Sequence, residues 1–268
     1  YDGDGLCPGE VFPGDGAGYD RGFDRLTLLQ DGGPIQSSST YWMGPQIGSG
    51  IYTIVGGGPG DTQTVFFEEL EPVIDVVPAV THTINATPEN NAIDYAAGPN
   101  SGIISLLNPA GDITAQVTVD NYEADEFANK TNVVINALAG DDVININLVP
   151  TPTGLSGTVA VDAGAPGGSD TLVVTGTAAA EAFEYAPNAP DGGTLVLPGP
   201  DVVFSQVDAV AIDGRSDLND DTLTVRSEGG VDNVMLEPGA ALDSGTVWIR
   251  SSAGAESTPP LSFRALGE

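Results

Sequence analysis

The chain has 268 residues, of which 7 are lysine or arginine and 38 aspartate or glutamate, for a formal charge of −31. So acidic a surface repels nucleic acid and anionic membranes, which excludes both as expected partners, and it attracts cations, calcium foremost because hard oxygen ligands abound. No apolar run approaches the roughly 18 residues that cross a bilayer, and 36 glycines and 20 prolines among alternating Val, Ile and Leu predict short strands and turns with little helix.

Residues 1–21, opening "YDGDGLCPGEVFPGDGAGYD", match nothing later in the chain and read as an irregular N-terminal arm. The chain begins at Tyr1 rather than Met, so a removed leader or an excised piece is expected. Asp2 and Asp4 start like a calcium loop, but Leu6 and Cys7 end the pattern. Cys7, the sole cysteine, is expected as an unpaired thiol or as a link between chains.

A first β repeat is expected over 22–79. Its opening strand, "FDRLTLL" from Phe23, looks like the strands that follow Asp170 and Asp221. Tyr41, Trp42, Tyr52, Phe66 and Phe67 cluster here, and an exposed row of such rings is what a carbohydrate-binding surface requires; the repeat register assigns Phe67 to the core. "GGGPGD" at 56–61 lacks the lysine of a phosphate loop and reads as a turn.

The second repeat, 80–169, carries an extra partial unit at 143–169. Its first segment, "VTHTINATPENNAIDYA" from Val80, matches "DTLVVTGTAAAEAFEYA" from Asp170 and "DTLTVRSEGGVDNVMLE" from Asp221. In each, an acidic or amide residue stands at the same offset (Asn91, Glu181, Asp232), and an apolar residue follows two later (Ile93, Phe183, Val234). His82, the only histidine, falls within this repeated strand, which favours a structural role over catalysis. "NAT" at 85–87 and "NKT" at 129–131 are glycosylation sequons by pattern, the first weakened by Pro88.

A second signature, two apolar residues spaced by two and then usually an acid, recurs as Phe67–Leu70–Glu71, Val119–Tyr122–Glu123, Phe204–Val207–Asp208 and Phe263–Leu266–Gly267. A third recurs as "VVINALAGDDVINI", "AVDAGAPGGSDTLVV" and "AIDGRSDLNDDTLTV". Three signatures in one order place a third repeat at 170–220 and a truncated fourth at 221–268. The expected fold is all-β, a β-solenoid (parallel β-helix) of about four imperfect repeats, each too poor in apolar surface to fold alone. Tandem antiparallel β-sandwich domains are the alternative, because periodicity does not reveal strand direction.

The combination of "DTLVVTGTAAAEAFEY", "VVFSQVDAVAIDGRSDLNDDTLTV" and "FFEELEPVID" resembles repeats of very large bacterial cell-surface proteins, notably those of Planctomycetes-like organisms, over roughly residues 22–268. The resemblance implies an exported, multi-repeat surface or extracellular protein, with calcium, and no defined biochemical activity.

The corners also resemble the RTX nonapeptide, whose loops bind calcium when stacked turns share ligands. "ALAGDDVIN" keeps Gly140, Asp142 and Ile144, "APGGSDTLV" keeps Gly168, Asp170 and Leu172, and "SDLNDDTLT" keeps Asp221 and Leu223. The candidate metal ligands are therefore Asp141, Asp142, Asp170, Asp217, Asn219, Asp220 and Asp221. The competing reading is that these side chains accept backbone N–H bonds and shape a corner.

Enzymatic readings find little. There is no G-x-S-x-G elbow, one histidine and one cysteine make a transition-metal site improbable, and the few basic residues are scattered. The chain is expected not to be an enzyme; a polysaccharide-cleaving β-helix is the residual alternative. The expected role is an extracellular or cell-surface structural protein, a subunit or segment of a filament stabilised by calcium. Its partners would be further copies stacked head to tail, or neighbouring repeats of a longer chain. An adhesin spacer or carbohydrate-binding module is the runner-up.

Overall fold

The computed structural model describes residues 25–58, 60–70, 72–98, 115–149, 152, 155, 157–164, 169–216, 221–227, 232–251 and 258–267. The N-terminal arm, Cys7, and Asp217, Asn219 and Asp220 lie outside them. The described residues are all-β, without helix, and form one 11-stranded and one 10-stranded sheet.

In chain order the strands are β1 (Leu26–Leu28), β2 (Gln36–Met43), β3 (Gly50–Val55), β4 (Thr62–Phe67), β5 (Val73–Asp75), β6 (Ala79–Asn85) and β7 (Ala92–Ala97). They continue with β8 (Ala115–Val119), β9 (Asp125–Phe127), β10 (Lys130–Asn136), β11 (Val143–Asn147), β12 (Val159–Asp162), β13 (Thr171–Thr175) and β14 (Ala182–Ala189). The last are β15 (Gly192–Val196), β16 (Val202–Ser205), β17 (Ala209–Ser216), β18 (Thr222–Val225), β19 (Asp232–Pro238), β20 (Gly245–Ser251) and β21 (Leu261–Leu266).

The first sheet runs β1-β5-β9-β8-β7-β11-β13-β17-β21-β20-β19, and the second runs β4-β3-β2-β6-β10-β12-β16-β15-β14-β18. Single strands cross from one sheet to the other and pair in parallel with the strand of the previous crossing, as β10 does with β6 and β13 with β11. At four places the chain instead lays down an antiparallel three-stranded meander: β2–β4, β7–β9, β14–β16 and β19–β21. Each meander after the first begins at the far strand and folds back, so that its third strand meets the older part of the sheet: β9 on β5, β16 on β12, β21 on β17.

This is the structural repeat. Each of the matched segments from Val80, Asp170 and Asp221 is one crossing strand followed by the first strand of a meander: β6–β7, β13–β14 and β18–β19. The boundary expected between 79 and 80 falls inside β6, whereas those before 170 and 221 fall at corners. Phe67, Phe204 and Phe263 lie in third meander strands, and the residue two places on (Glu69, Gln206, Ala265) turns left-handed. The copy read at Val119 is out of place. Val119 ends the middle strand β8, and the equivalent position is Phe127, followed by left-handed Asn129.

Period-2 alternation explains the packing. On the first sheet one inward row registers Val119, Ile93, Ile144, Leu172, Val210 and Leu261 across successive strands, and the next registers Val117, Tyr95, Ile146, Val174 and Ile212. All eleven are buried, in a core running from Leu28 to Leu261 without a break. Each such side chain contributes about 1.5–3 kcal/mol, and a one-residue slip would turn a whole row outward, which fixes the register. One core leaves no separate cores for tandem sandwich domains.

Outward polar side chains pair between neighbouring segments. Asn145 donates to Asp94, Thr175 to Asn145 (2.9 Å) and Gln206 to Asp162 (2.7 Å). At the corners Gly140 (φ 133°) and Gly164 (φ 90°) pass against backbone: a Cβ would stand 2.6 Å from the Glu89 oxygen and 1.7 Å from the Leu138 oxygen respectively. Only glycine fits either place.

Candidate functional site

Two arrangements carry the polar chemistry. The first is the row of acidic corners. Asp142 and Asp170 each stand just before a strand of the first sheet, where a backbone N–H has no ladder partner. The Asn91 N–H donates to Asp142 Oδ1 (2.7 Å), the Asp142 N–H to Asp170 Oδ1 (2.8 Å), and the Asp170 N–H to Asp208 Oδ2 (2.9 Å). Asp120 extends the series, accepting from the Ala92 N–H (2.8 Å) and the Asn91 amide (2.9 Å). Asp141 accepts from the Ser169 N–H (3.0 Å), and on the second sheet Asp221 accepts from the Glu181 N–H (2.7 Å).

Each of the four described candidate ligands thus has an oxygen occupied by the backbone of a segment distant in the chain. Burial pushes Asp142 up to about 6, against the pull of its Asn91 bond, and the Asp170, Asp120 and Asp141 charges add to the rise. Burial also raises Asp170 and Asp221. Asp142 Oδ2 and Asp221 Oδ2 are buried without a hydrogen-bond partner. Among the described residues no three acidic, histidine or cysteine side chains converge as a metal cage.

The second arrangement lies inside the core. Ser39 and His82 occupy the inward row that continues as Val133, Val159 and Val202, while Asp125 registers between Val73 and Val117 on the facing sheet. Polar residues thus stand where the later strands in register place apolar ones. His82 Nε2 is hydrogen-bonded to Asp125 Oδ2 (2.8 Å), and the Ser39 hydroxyl meets Nδ1 (2.8 Å). Tyr52 donates to Asp75 Oδ2 (2.8 Å), Lys130 Nζ to the same oxygen and to the Val77 carbonyl (2.6 Å each), and the Val77 N–H to Asp75 Oδ1 (2.8 Å). His82 packs at 4.6 Å on Phe127 and stacks at 6.0 Å on Tyr52.

The group types Ser, His and Asp suggest a hydrolytic triad, and the geometry argues otherwise. The imidazole nitrogens are exchanged relative to a Ser-His-Asp triad, with serine on Nδ1 and aspartate on Nε2. Ser39, His82 and Asp125 have no solvent exposure, so no substrate reaches Ser39 Oγ without opening the core. Burial, offset by the Asp75 and Asp125 charges, lowers the Lys130 pKa, and burial foremost raises those of Tyr41 and Tyr52, which stay neutral. Sequence reasoning placed His82 in a strand but missed its partners. Asp75, Asp125 and Lys130 become visible only once the strand register identifies inward positions.

The aromatic cluster divides. Tyr41, Tyr52 and Phe67 point into the core, whereas Trp42 and Phe66 register either side of Ile51 on the outer face of the first meander, 47% and 71% exposed. A cavity of about 820 Å³ opens beside them, lined by Met43, Gln46, Ile51, Phe66 and Glu68 among others. Trp248 lies half-buried on the outer face, with the Arg250 guanidinium 6.0 Å from its ring. Both sequon asparagines are engaged by backbone: the Asn85 amide bonds Tyr41 O (3.3 Å) and the Asn129 amide Val76 O (3.0 Å). The chain matches no family model, no curated protein and no solved structure.

Proposed function

We propose that the chain is a length of extracellular structural fibre: a two-sheet β-solenoid, interrupted by meanders, whose coils associate end to end. The observation that carries the reading is β19. It closes one sheet with a strand pairing only β20 among the described residues, and it leaves Val234, Met235 and Leu236 exposed at 55%, 50% and 64%. An edge strand with free N–H and C=O groups and apolar side chains is a template for another strand. At the opposite end the other sheet finishes in β4, a comparable edge with Phe66 exposed. Joining the two ends is a head-to-tail contact that does not close, and it generates a filament.

Calcium belongs to this proposal as a stiffening ion. Light scattering on the purified chain tests the reading, in chelator and in excess calcium. Mass growing with concentration for the wild-type chain, lost in Leu236→Lys at unchanged melting temperature, is the expected result. A monomer at every concentration, with and without calcium, refutes assembly through these edges.

The exposed Trp42–Ile51–Phe66 row supports a second reading, a carbohydrate-binding face. Quenching or shift of tryptophan fluorescence on adding polysaccharide, absent in Trp42→Ala, would favour it.

A further inference from the structure

The buried Lys130–Asp75 contact asks for more than an ion pair. Both side chains have no solvent exposure, and their atoms Nζ and Oδ2 stand 2.6 Å apart. Desolvating an ammonium and a carboxylate costs several kcal/mol each, which their mutual attraction and hydrogen bonds must offset. Proton transfer from Nζ to Oδ2 along the existing hydrogen bond yields a neutral amine beside a neutral acid. A neutral lysine is a nucleophile, and burial moves Lys130 toward that state.

The surroundings are arranged for acyl transfer. The Val77 N–H donates to Asp75 Oδ1, the oxygen that takes up negative charge when a nucleophile adds to Cγ. The Tyr52 hydroxyl donates to Oδ2, the oxygen that would leave. The Val77 carbonyl accepts from Nζ and restrains the amine. Phe127 and Tyr41 pack against the His82 and Tyr52 rings beside the pair and help keep water out.

We infer that Lys130 and Asp75 join in an intramolecular amide (isopeptide) bond, formed by the folded protein on itself. Nζ adds to Cγ, the Cγ–Oδ2 bond breaks, and Oδ2 departs as water. Of the three protons of the original ammonium, two leave in that water and one stays on the amide nitrogen, so no outside acid, base or oxidant is needed. The product keeps two of the present hydrogen bonds, Val77 N–H to Oδ1 and the amide N–H to the Val77 carbonyl, and replaces a buried ion pair with a neutral group. The link joins β5 of one sheet to the start of β10 in the other and encloses the whole second meander. It stands independently of filament assembly, since it needs only a folded monomer.

Intact mass of the purified full-length chain under denaturing conditions tests the inference, followed by digestion with an acid-specific protease and fragmentation. The expected result is a chain one water lighter than its sequence requires and a branched peptide joining the segments that carry Asp75 and Lys130. Lys130→Arg and Asp75→Ala are expected at full mass. Tyr52→Phe is expected to reach the lighter mass more slowly after synthesis, a rate that a purely structural tyrosine would leave unchanged. Full mass in the wild-type chain with the two peptides recovered separately overturns the inference, as does water loss located at any other residue. The wild-type digest decides even if no variant folds.

Discussion

Replacing Asp142 by asparagine isolates what the acidic corners contribute. The folded protein holds this carboxyl near 6 against a usual value of 3.8, so between these pH values the folded state binds more protons than the unfolded one. Stability therefore falls as pH rises through that window, and at pH 7 the whole penalty of ionising Asp142 is present. At about 1.4 kcal/mol per pH unit the penalty is about 3 kcal/mol. Asp142 lies just beneath the surface between exposed Asp141 and Val143, and solvent screening brings the figure down to about 1–2 kcal/mol. Asp142→Asn keeps an oxygen for the Asn91 N–H and sets an amide nitrogen where Oδ2 has no partner today, so the loss there is small. Urea denaturation from pH 4 to 8 should show the variant level with the wild type at the acid end and about 1–2 kcal/mol more stable at pH 7. A variant equally destabilised at both ends would refute the reasoning and mark Asp142 as needed in its charged form. Calcium stabilising the wild type but not the variant would restore a ligand role.

Gly164→Ala drives a methyl group into the Leu138 carbonyl at a left-handed corner, and is expected to destabilise by about 3 kcal/mol or more in the same denaturation assay. Tyr185→Phe removes the 2.6 Å bond to the Pro259 carbonyl and leaves that oxygen without its donor; a loss of about 1–2 kcal/mol is expected. Arg226→Ala, which breaks a pair with Glu184 in which the arginine is 65% exposed, is expected to leave the melting temperature unchanged.

Much of the architecture was legible in the chain. Alternation in "TLTV" and "GTVAV" marked β18 and β12, and the third signature marked the corners between crossing strands, because both depend on local period and on turn chemistry. Direction was not legible. "AIDYAA" and "AFEYAPNA" read as strands whether the next segment crosses to the other sheet or folds back beside them, and the structure uses both connections. The Val119 copy of the second signature misled for a related reason: apolar spacing recurs at the end of any strand, and Val119 closes a middle strand instead of a third one. The corner aspartates were found, with their two roles undivided, since a backbone N–H and a cation recruit the same side chain. The Lys130–Asp75 pair escaped notice because its members are 55 residues apart and meet across the core.

The meanders that fold back also decide how the protein bears tension. Had each new strand been added at the growing edge, a pull on the last one would peel a single ladder, one hydrogen bond at a time. Here β21 lies between β17 and β20, with β19 outside them, and β9 and β16 are enclosed in the same way. A force applied beyond β21 must shear two ladders together. The doubling back acts as a running stitch, each loop held by the one laid before it.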